Sequence, residues 1–129
     1  MNSLSVLAVD DNKDAAYTFC LMLSAWGHRP SMAHDADAAW EAALAERPDV
    51  VLLDLGLPGV DGWELARRLR AHPDLKDVVL LAVTGHGGPA DRARSHEVGI
   101  DQHLLKPVEP ELLRGLLASY APRRSPAPA

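Results

Sequence analysis

The chain is poor in the features that would tie it to several common protein classes. It holds one cysteine, Cys20, in 129 residues, which excludes an intramolecular disulfide and any multi-cysteine metal site. No apolar run approaches the roughly 20 residues needed to span a bilayer. The start, Met1 to Ser5, carries no basic residue ahead of its apolar run, so it does not read as a signal peptide. With a lone thiol and neither targeting nor spanning segment, the expected location is cytoplasmic. Basic residues are in deficit, 13 against 18 acidic for a net charge of −5, which argues against a nucleic-acid footprint and for no direct nucleic-acid binding. Aromatic residues make up only 5%. There is no internal repeat. No glycine-rich turn follows the first apolar run, which disfavours a nucleotide or flavin fold.

What is present is an ordinary globular composition, 47% hydrophobic and 24% charged, in a length that suits one domain. Residues 1–121 read as that domain. Residues 122–129, rich in Pro, Ala and Arg, cannot bury a core and are predicted to form a flexible tail.

Short apolar runs alternate with helix-period segments. Leu4–Val9 is strand-like and stops at a pair of acids. Ala16, Phe19, Cys20 and Leu23 recur at helical spacing, and Gly27 closes that helix. A weak strand, Arg29–Ala33, carries Pro30 and therefore belongs at a sheet edge. Ala38, Ala39, Ala42 and Ala43 predict one face of a second helix ending near Pro48. Val50–Leu53 is apolar throughout, as in a strand covered on both faces. Leu65 and Leu69 mark a third helix, Val78–Val83 a fourth strand, and Pro89–Val98 a fourth helix with Gly99 just past it. His103–Leu105 is a short fifth strand, and Leu112, Leu113, Leu116 and Leu117 give the last helix its apolar side.

Five strand-then-helix units predict an α/β, doubly wound parallel sheet. The most apolar strands, one, three and four, should be central, and the proline-bearing second and short fifth should be edges. That is the flavodoxin-like (βα)5 order 2-1-3-4-5.

Ligands of such sheets sit outside the carboxyl ends of the strands. There strand one delivers Asp10 and Asp11, strand three Asp54, strand four Thr84 and strand five Lys106. Three carboxylates brought together repel, and left alone at least one takes up a proton. A hard divalent cation relieves the repulsion. Carboxylate, carbonyl and water oxygens suit Mg²⁺, with Mn²⁺ able to substitute, and the absence of a His or Cys cluster at this edge disfavours zinc. A cation with Lys106 opposite can neutralise charge on a transferring phosphoryl group. Asp54 would then be the nucleophile of an acyl phosphate, and Thr84 would donate its hydroxyl to a phosphoryl oxygen.

Val9-Asp10-Asp11-Asn12, the stretch from Leu52 through Asp54-Leu55-Gly56-Leu57-Pro58 to Asp61-Gly62, Ala82-Val83-Thr84-Gly85, and Leu105-Lys106-Pro107 occur in that order, each at a predicted strand end. Together they resemble the response-regulator receivers of two-component signalling over residues 4 to 119. The wording around Asp54 and Thr84 is most similar to receivers associated with hybrid sensor histidine kinases. The resemblance implies Asp54 as phosphoacceptor and Asp10, Asp11 and Asp54 as metal-binding acids. It also implies a backbone carbonyl from Gly56 to the metal, a cis peptide at Lys106-Pro107, and Thr84 and Lys106 as switch hydroxyl and phosphate-pairing lysine. It implies as donor a histidine kinase or histidine phosphotransfer protein. The output would be a downstream protein target met through the face of helix four, strand five and helix five, with a weak homodimer as one form. No DNA-binding or catalytic output domain lies within these residues, so the chain would act in trans or as part of a larger one.

The sequence departs from that family at the switch position on the last strand, commonly Tyr or Phe, where it has His103. The imidazole is polar and charges in acid, which predicts pH-sensitive coupling to Thr84. Gly56 and His86 occupy two positions by which the family controls water near the acyl phosphate.

Simpler roles compete for several residues. Asp10 or Asp11 alone could cap a helix, Asp61 reads as a loop or helix-start residue, and threonine commonly ends strands. His28, His34, His72 and His96 read as solvated. Trp26, Trp40 and Trp63 read as partly packed against the sheet. The run Arg67, Arg68, Arg70 and the pair Arg92, Arg94 read as solvated faces. Two other functions remain in view. A haloacid-dehalogenase-type phosphatase needs an acid two residues beyond its nucleophile, where this chain has Gly56. A degenerate receiver acting as a constitutive interaction module has no support in the sequence beyond His103, since all five site residues are present. The expectation is therefore a phosphoacceptor signalling domain and no enzyme in the turnover sense.

Overall fold

The computed structural model describes residues 3–57, 61–85 and 88–122. Within them the five strands and five helices alternate strictly: β1 (Ser5–Val9), α1 (Lys13–Ala25), β2 (Arg29–Ala33), α2 (Ala36–Glu46), β3 (Val50–Asp54), α3 (Gly62–Ala71), β4 (Val79–Thr84), α4 (Pro89–Glu97), β5 (Gln102–Leu105) and α5 (Pro110–Ala118). All strand pairs are parallel, in the order β2-β1-β3-β4-β5. Every crossover is a helix, the connection parallel neighbours require. The flavodoxin-like expectation holds, including Pro30 on an edge strand. Among the described residues no helix is long and apolar enough to cross a membrane.

Strand alternation divides the core in two. Leu7, Val9, Val51, Leu53 and Leu80 face one way and meet Ala39 and Ala43 of α2 and Leu65 and Leu69 of α3. Val6, Val50, Leu52, Leu81, Val83 and Leu104 face the other way and meet Leu23 of α1 and Leu113 and Leu117 of α5. Each of the valines and leucines contributes about 1.5–3 kcal/mol relative to remaining in water. Because both faces of β3 are covered, all five of its residues are buried, including Asp54, which no solvent-facing strand would have placed there.

Helix ends follow local chemistry. Asn12, Asp35 and Asp61 cap α1, α2 and α3 by accepting from the N–H groups of Ala15, Ala38 and Glu64. Asp61 is thus the helix-start residue its position suggested. Gly27 and Gly99 adopt φ of 91° and 86° just past α1 and α4, where a side chain would be strained.

Four expectations need correction. On α2 the buried alanines are Ala36, Ala39 and Ala43, while Ala38 is exposed and Ala42 half-buried; the helix starts two residues earlier than the alanine run suggests and its inward stripe is rotated accordingly. Leu112 is exposed and Leu116 half-buried, leaving Leu113 and Leu117 to anchor α5. Arg70 is no solvated cation: it donates to the backbone carbonyls of Gly99, Lys76 and Val78 and pairs with Asp101 at 2.9 Å. Of the four histidines read as solvated only His96 is exposed. His28 is buried and its Nδ1 accepts from the N–H of Leu4 at 3.1 Å. His72 is half-buried, accepts from the N–H of Asp74 and meets the Trp40 ring edge-on. His34, also half-buried, contacts the backbone of Asp10.

Trp26, Trp40 and Trp63 are partly buried against the two cores, as expected. Pro58, His86 and residues 123–129 of the tail lie outside the described residues.

Candidate phosphoacceptor and cation site

Each site residue sits where a strand stops. β1 ends at Val9, so Asp10 and Asp11 occupy the turn into α1; β3 ends on Asp54, β4 on Thr84, and Lys106 follows β5. Parallel register sets these ends side by side: Val9 pairs with Leu53, Asp54 with Val83, and Thr84 with Leu105. The N–H of Lys106 donates to the carbonyl of Thr84 at 2.8 Å, and the Lys106–Pro107 peptide is cis.

The side chains converge. Carboxylate oxygens of Asp10, Asp11 and Asp54 lie within 4.8 Å of one another. Nζ of Lys106 lies 3.5 Å from Oδ2 of Asp54 and 3.7 Å from Oδ2 of Asp10. Asp10, Asp54 and Thr84 are buried, at 2%, 7% and 8% exposure, while Asp11 is exposed and Lys106 reaches in from the rim. Each buried acid has one oxygen held from its own loop: Oδ1 of Asp10 accepts from the N–H of Asn12, and Oδ1 of Asp54 accepts from the N–H of Gly56, both at 2.9 Å. Two N–H groups thus fix the planes of the two carboxylates.

Burial raises the pKa of Asp10 above the usual carboxylate range; the Asn12 N–H opposes this, the nearby Asp54 charge adds to it, and Lys106 again opposes it. Oδ2 of Asp10 is buried and accepts no hydrogen bond among the described residues. A desolvated carboxylate oxygen with no hydrogen bond, crowded by two further acids and met only by Lys106 at 3.7 Å, is unfavourable alone. The residues therefore fit a divalent cation: an all-oxygen donor set with an orphaned buried oxygen, of the hard-ligand kind magnesium takes. Among the described residues no other group of acids, histidines or cysteines could hold a metal.

A groove of about 640 Å³ opens from Asp10 and Lys106 along the molecule, walled by Ala15, Phe19 and Met22 of α1 and by Pro107, Val108 and Pro110 beyond β5. Its walls are largely apolar, and of the three acids it is lined by Asp10.

His103 lies on β5 opposite Ala82. Both of its ring nitrogens are buried and without a hydrogen-bond partner among the described residues. Burial lowers its pKa, Arg92 lowers it further, and Asp91 opposes. The imidazole lies within electrostatic reach of Asp91 and Arg92 of α4.

Sequence reasoning missed two residues near this edge. His34 immediately follows β2, whose end shares the carboxyl edge of the sheet; that position was the available signal. Trp63, read only as packing, donates from Nε1 to Oγ of Ser95 at 3.0 Å, while the Arg94 guanidinium lies 4.2 Å above its ring and reaches Oδ2 of Asp61. No sequence pattern marks that contact.

Comparison with known proteins agrees with this geometry. Residues 6–118 match the response regulator receiver domain family. The chain is 31% identical over 121 residues, 94% of its length and 53% of the relative's, to the phosphate regulon transcriptional regulatory protein PhoB of Escherichia coli. Among solved structures it is similar to chemotaxis protein CheY4 of Vibrio cholerae, with a TM-score of 0.86, 28% identity, and coverage of 92% of this chain and 99% of that one. It is also similar to the receiver domain of sensor histidine kinase PA1611 of Pseudomonas aeruginosa, described with a magnesium ion coordinated in its active-site cleft. There the TM-score is 0.81 and the identity 29%, over 89% of this chain and 94% of that one. The chain spans about half the length of the curated relatives it matches.

Proposed function

The chain belongs to the response regulator receiver domain family, and from that premise we propose that it accepts a phosphoryl group on Asp54 from a histidine kinase or histidine phosphotransfer protein, with Mg²⁺ held by Asp10, Asp11, Asp54 and the backbone carbonyl of Gly56. The observation that carries this reading is the convergence of three carboxylates, two of them buried, with Lys106 3.5 Å from Asp54. When bound, the cation neutralises charge on the acids and on the phosphoryl oxygens.

The chain's own residues supply the rest. The Gly56 N–H holds Oδ1 of Asp54 and fixes the carboxylate plane for in-line attack. A carboxylate oxygen attacks phosphorus, the bond from phosphorus to the donor's imidazole nitrogen breaks, and the electron pair returns to that nitrogen. Lys106 meets the new negative charge as an ammonium. The Thr84 hydroxyl, buried at the end of β4, donates to a phosphoryl oxygen. The groove between α1 and the segment after β5 is where a donor helix would lie, since it opens at Asp10 and Lys106, and Lys106 stands 3.5 Å from Asp54.

Phosphorylation adds about −1.5 to −2 charges at one point. Drawing Thr84 and Lys106 inward moves the loops after β4 and β5 and, through His103, the seat of α4. A pre-existing equilibrium is thereby shifted toward one form of the α4-β5-α5 face, on which Leu105 and Leu112 are exposed apolar residues. A downstream protein target would meet that face. Residues 1–121 form the receiver unit in this reading and 122–129 a linker-like tail; the setting is the cytoplasm.

The test is incubation with acetyl phosphate followed by a phosphate-affinity gel. A retarded band with Mg²⁺ that vanishes with EDTA is expected; retardation independent of the cation overturns the metal-assisted reading.

A further inference from the structure

Asp10 is gripped through its backbone by two successive residues at the end of β2. Its N–H donates to the carbonyl of Ala33 at 3.1 Å, and its own carbonyl oxygen lies 3.1 Å from Nδ1 of His34. A carbonyl has no proton to give, so the ring nitrogen is the donor and His34 carries its hydrogen on Nδ1. The carbonyl so held belongs to the peptide unit that joins Asp10 to Asp11.

The two acids differ in what restrains them. The carboxylate of Asp10 is buried and already anchored by the Asn12 N–H. That of Asp11 is exposed, and among the described residues no hydrogen bond anchors it. Its aim therefore depends on the plane of the peptide that precedes it. His34 sets that plane from a neighbouring strand, outside the loop that carries the acids. Losing the ring's N–H frees the peptide to rotate and carries Asp11 away from the other two carboxylates, at little cost to the fold because the ring is only half-buried.

We propose that His34 is a positioning residue for the cation site, acting through its Nδ1–H on the Asp10 carbonyl to hold Asp11 in the ligand set. The proposal rests on the cation reading above. Groups behind metal ligands are worth about 10–100-fold in metal affinity when removed; a contact one peptide away from the ligand should lie at the lower end, roughly 10-fold.

The experiment is titration of the full chain with Mn²⁺, reading free Mn²⁺ by electron paramagnetic resonance, with thermal melting of the metal-free variants alongside. Wild type should bind and Asp11→Asn should bind weakly. His34→Ala should lose about 10-fold in affinity with a metal-free melting temperature near wild type. His34→Asn, whose amide N–H reaches the place of Nδ1, should recover most of the loss, and His34→Gln, whose amide lies one carbon further out, should not. If His34→Ala does not fold, the Asn and Gln variants decide the same question. Affinity unchanged in His34→Ala, or Asn no better than Gln, overturns the proposal while leaving the cation reading standing. A wild type that takes up no Mn²⁺ overturns both.

Discussion

The indole N–H of Trp63 donates to the hydroxyl of Ser95 at 3.0 Å, and that bond fastens α4 to α3. Ser95 is the only residue of α4 that is buried, so this helix, unlike the other four, is seated by a polar contact and not by an apolar stripe. Arg94 strengthens the seat by stacking on Trp63 and reaching Asp61, the N-cap of α3. Ser95→Ala leaves the indole N–H unpaired and should cost about 1 kcal/mol. Urea denaturation would show the loss, and hydrogen exchange should accelerate selectively in α4. Uniform acceleration across all helices would contradict this seat.

Stability should fall on mild acidification because of two histidines. Burial depresses the pKa of His28, and its Nδ1 must be unprotonated to accept from Leu4. Burial and Arg92 depress that of His103, against a smaller opposing effect of Asp91. With folded values below the ordinary imidazole value of about 6.5, the unfolded chain binds more protons in the interval between, so stability rises with pH there. It is complete above about 6.5 and drains as pH falls toward the folded values. Melting temperatures across that interval check the sign, and His103→Phe should remove part of the slope. The same ring predicts that phosphorylation-dependent shifts in α4 differ between about pH 6 and about pH 8; identical shifts at both would count against a role for His103 in the switch.

Gly62 tolerates no side chain. A Cβ there would lie 2.7 Å from Cα of Leu55 and 2.8 Å from the carbonyl of Asp54, both backbone atoms that cannot swing aside. Gly62→Ala should destabilise by about 1–3 kcal/mol and, because it presses on the backbone of Asp54 itself, should slow phosphoryl uptake more than an equally destabilising change in α5 such as Leu117→Val. Equal slowing in the two variants would refute this.

Lys106 would compete with a bound cation for the same carboxylates. Lys106→Met removes a positive charge lying 3.5 Å from Asp54 and 3.7 Å from Asp10, and so should tighten divalent-cation binding several-fold, on the order of 1 kcal/mol at partly exposed distances. The same change should slow phosphoryl uptake, since the ammonium no longer meets the developing charge. Weaker cation binding in this variant would mean that the lysine organises the acids instead of competing at them.

Much of the fold was legible because strand burial writes itself as composition. Val50–Leu53 and the run before Thr84 are apolar throughout, so their central places and the residues at their ends, Asp54 and Thr84, could be read directly; Lys106 follows the short edge strand β5. Helix faces were harder. In α2 every other candidate is alanine, and a stripe of identical small residues does not say which of them point inward; hence Ala36 was missed and Ala38 misplaced. Leu112 looked like core because leucines at 112, 113, 116 and 117 form one patch, yet only the strip centred on Leu113 and Leu117 meets the sheet. Polar residues used by the backbone were invisible. His28, His34 and Arg70 satisfy carbonyls or N–H groups from segments remote in sequence, and nothing local to them records that demand. The convergence of the three acids was legible; the imidazole that steadies their connecting peptide was not.

The central claim is that Asp54 itself takes the phosphoryl group. Treatment with acetyl phosphate and Mg²⁺, reduction with borohydride, and peptide mass spectrometry test it most directly, because reduction converts an aspartyl phosphate to homoserine. Homoserine at position 54 alone, absent from protein treated without acetyl phosphate and absent from Asp54→Ala, is the expected result. Homoserine at position 10 or 11 instead, or an unmodified residue 54 in protein that has gained the mass of a phosphoryl group, would contradict it.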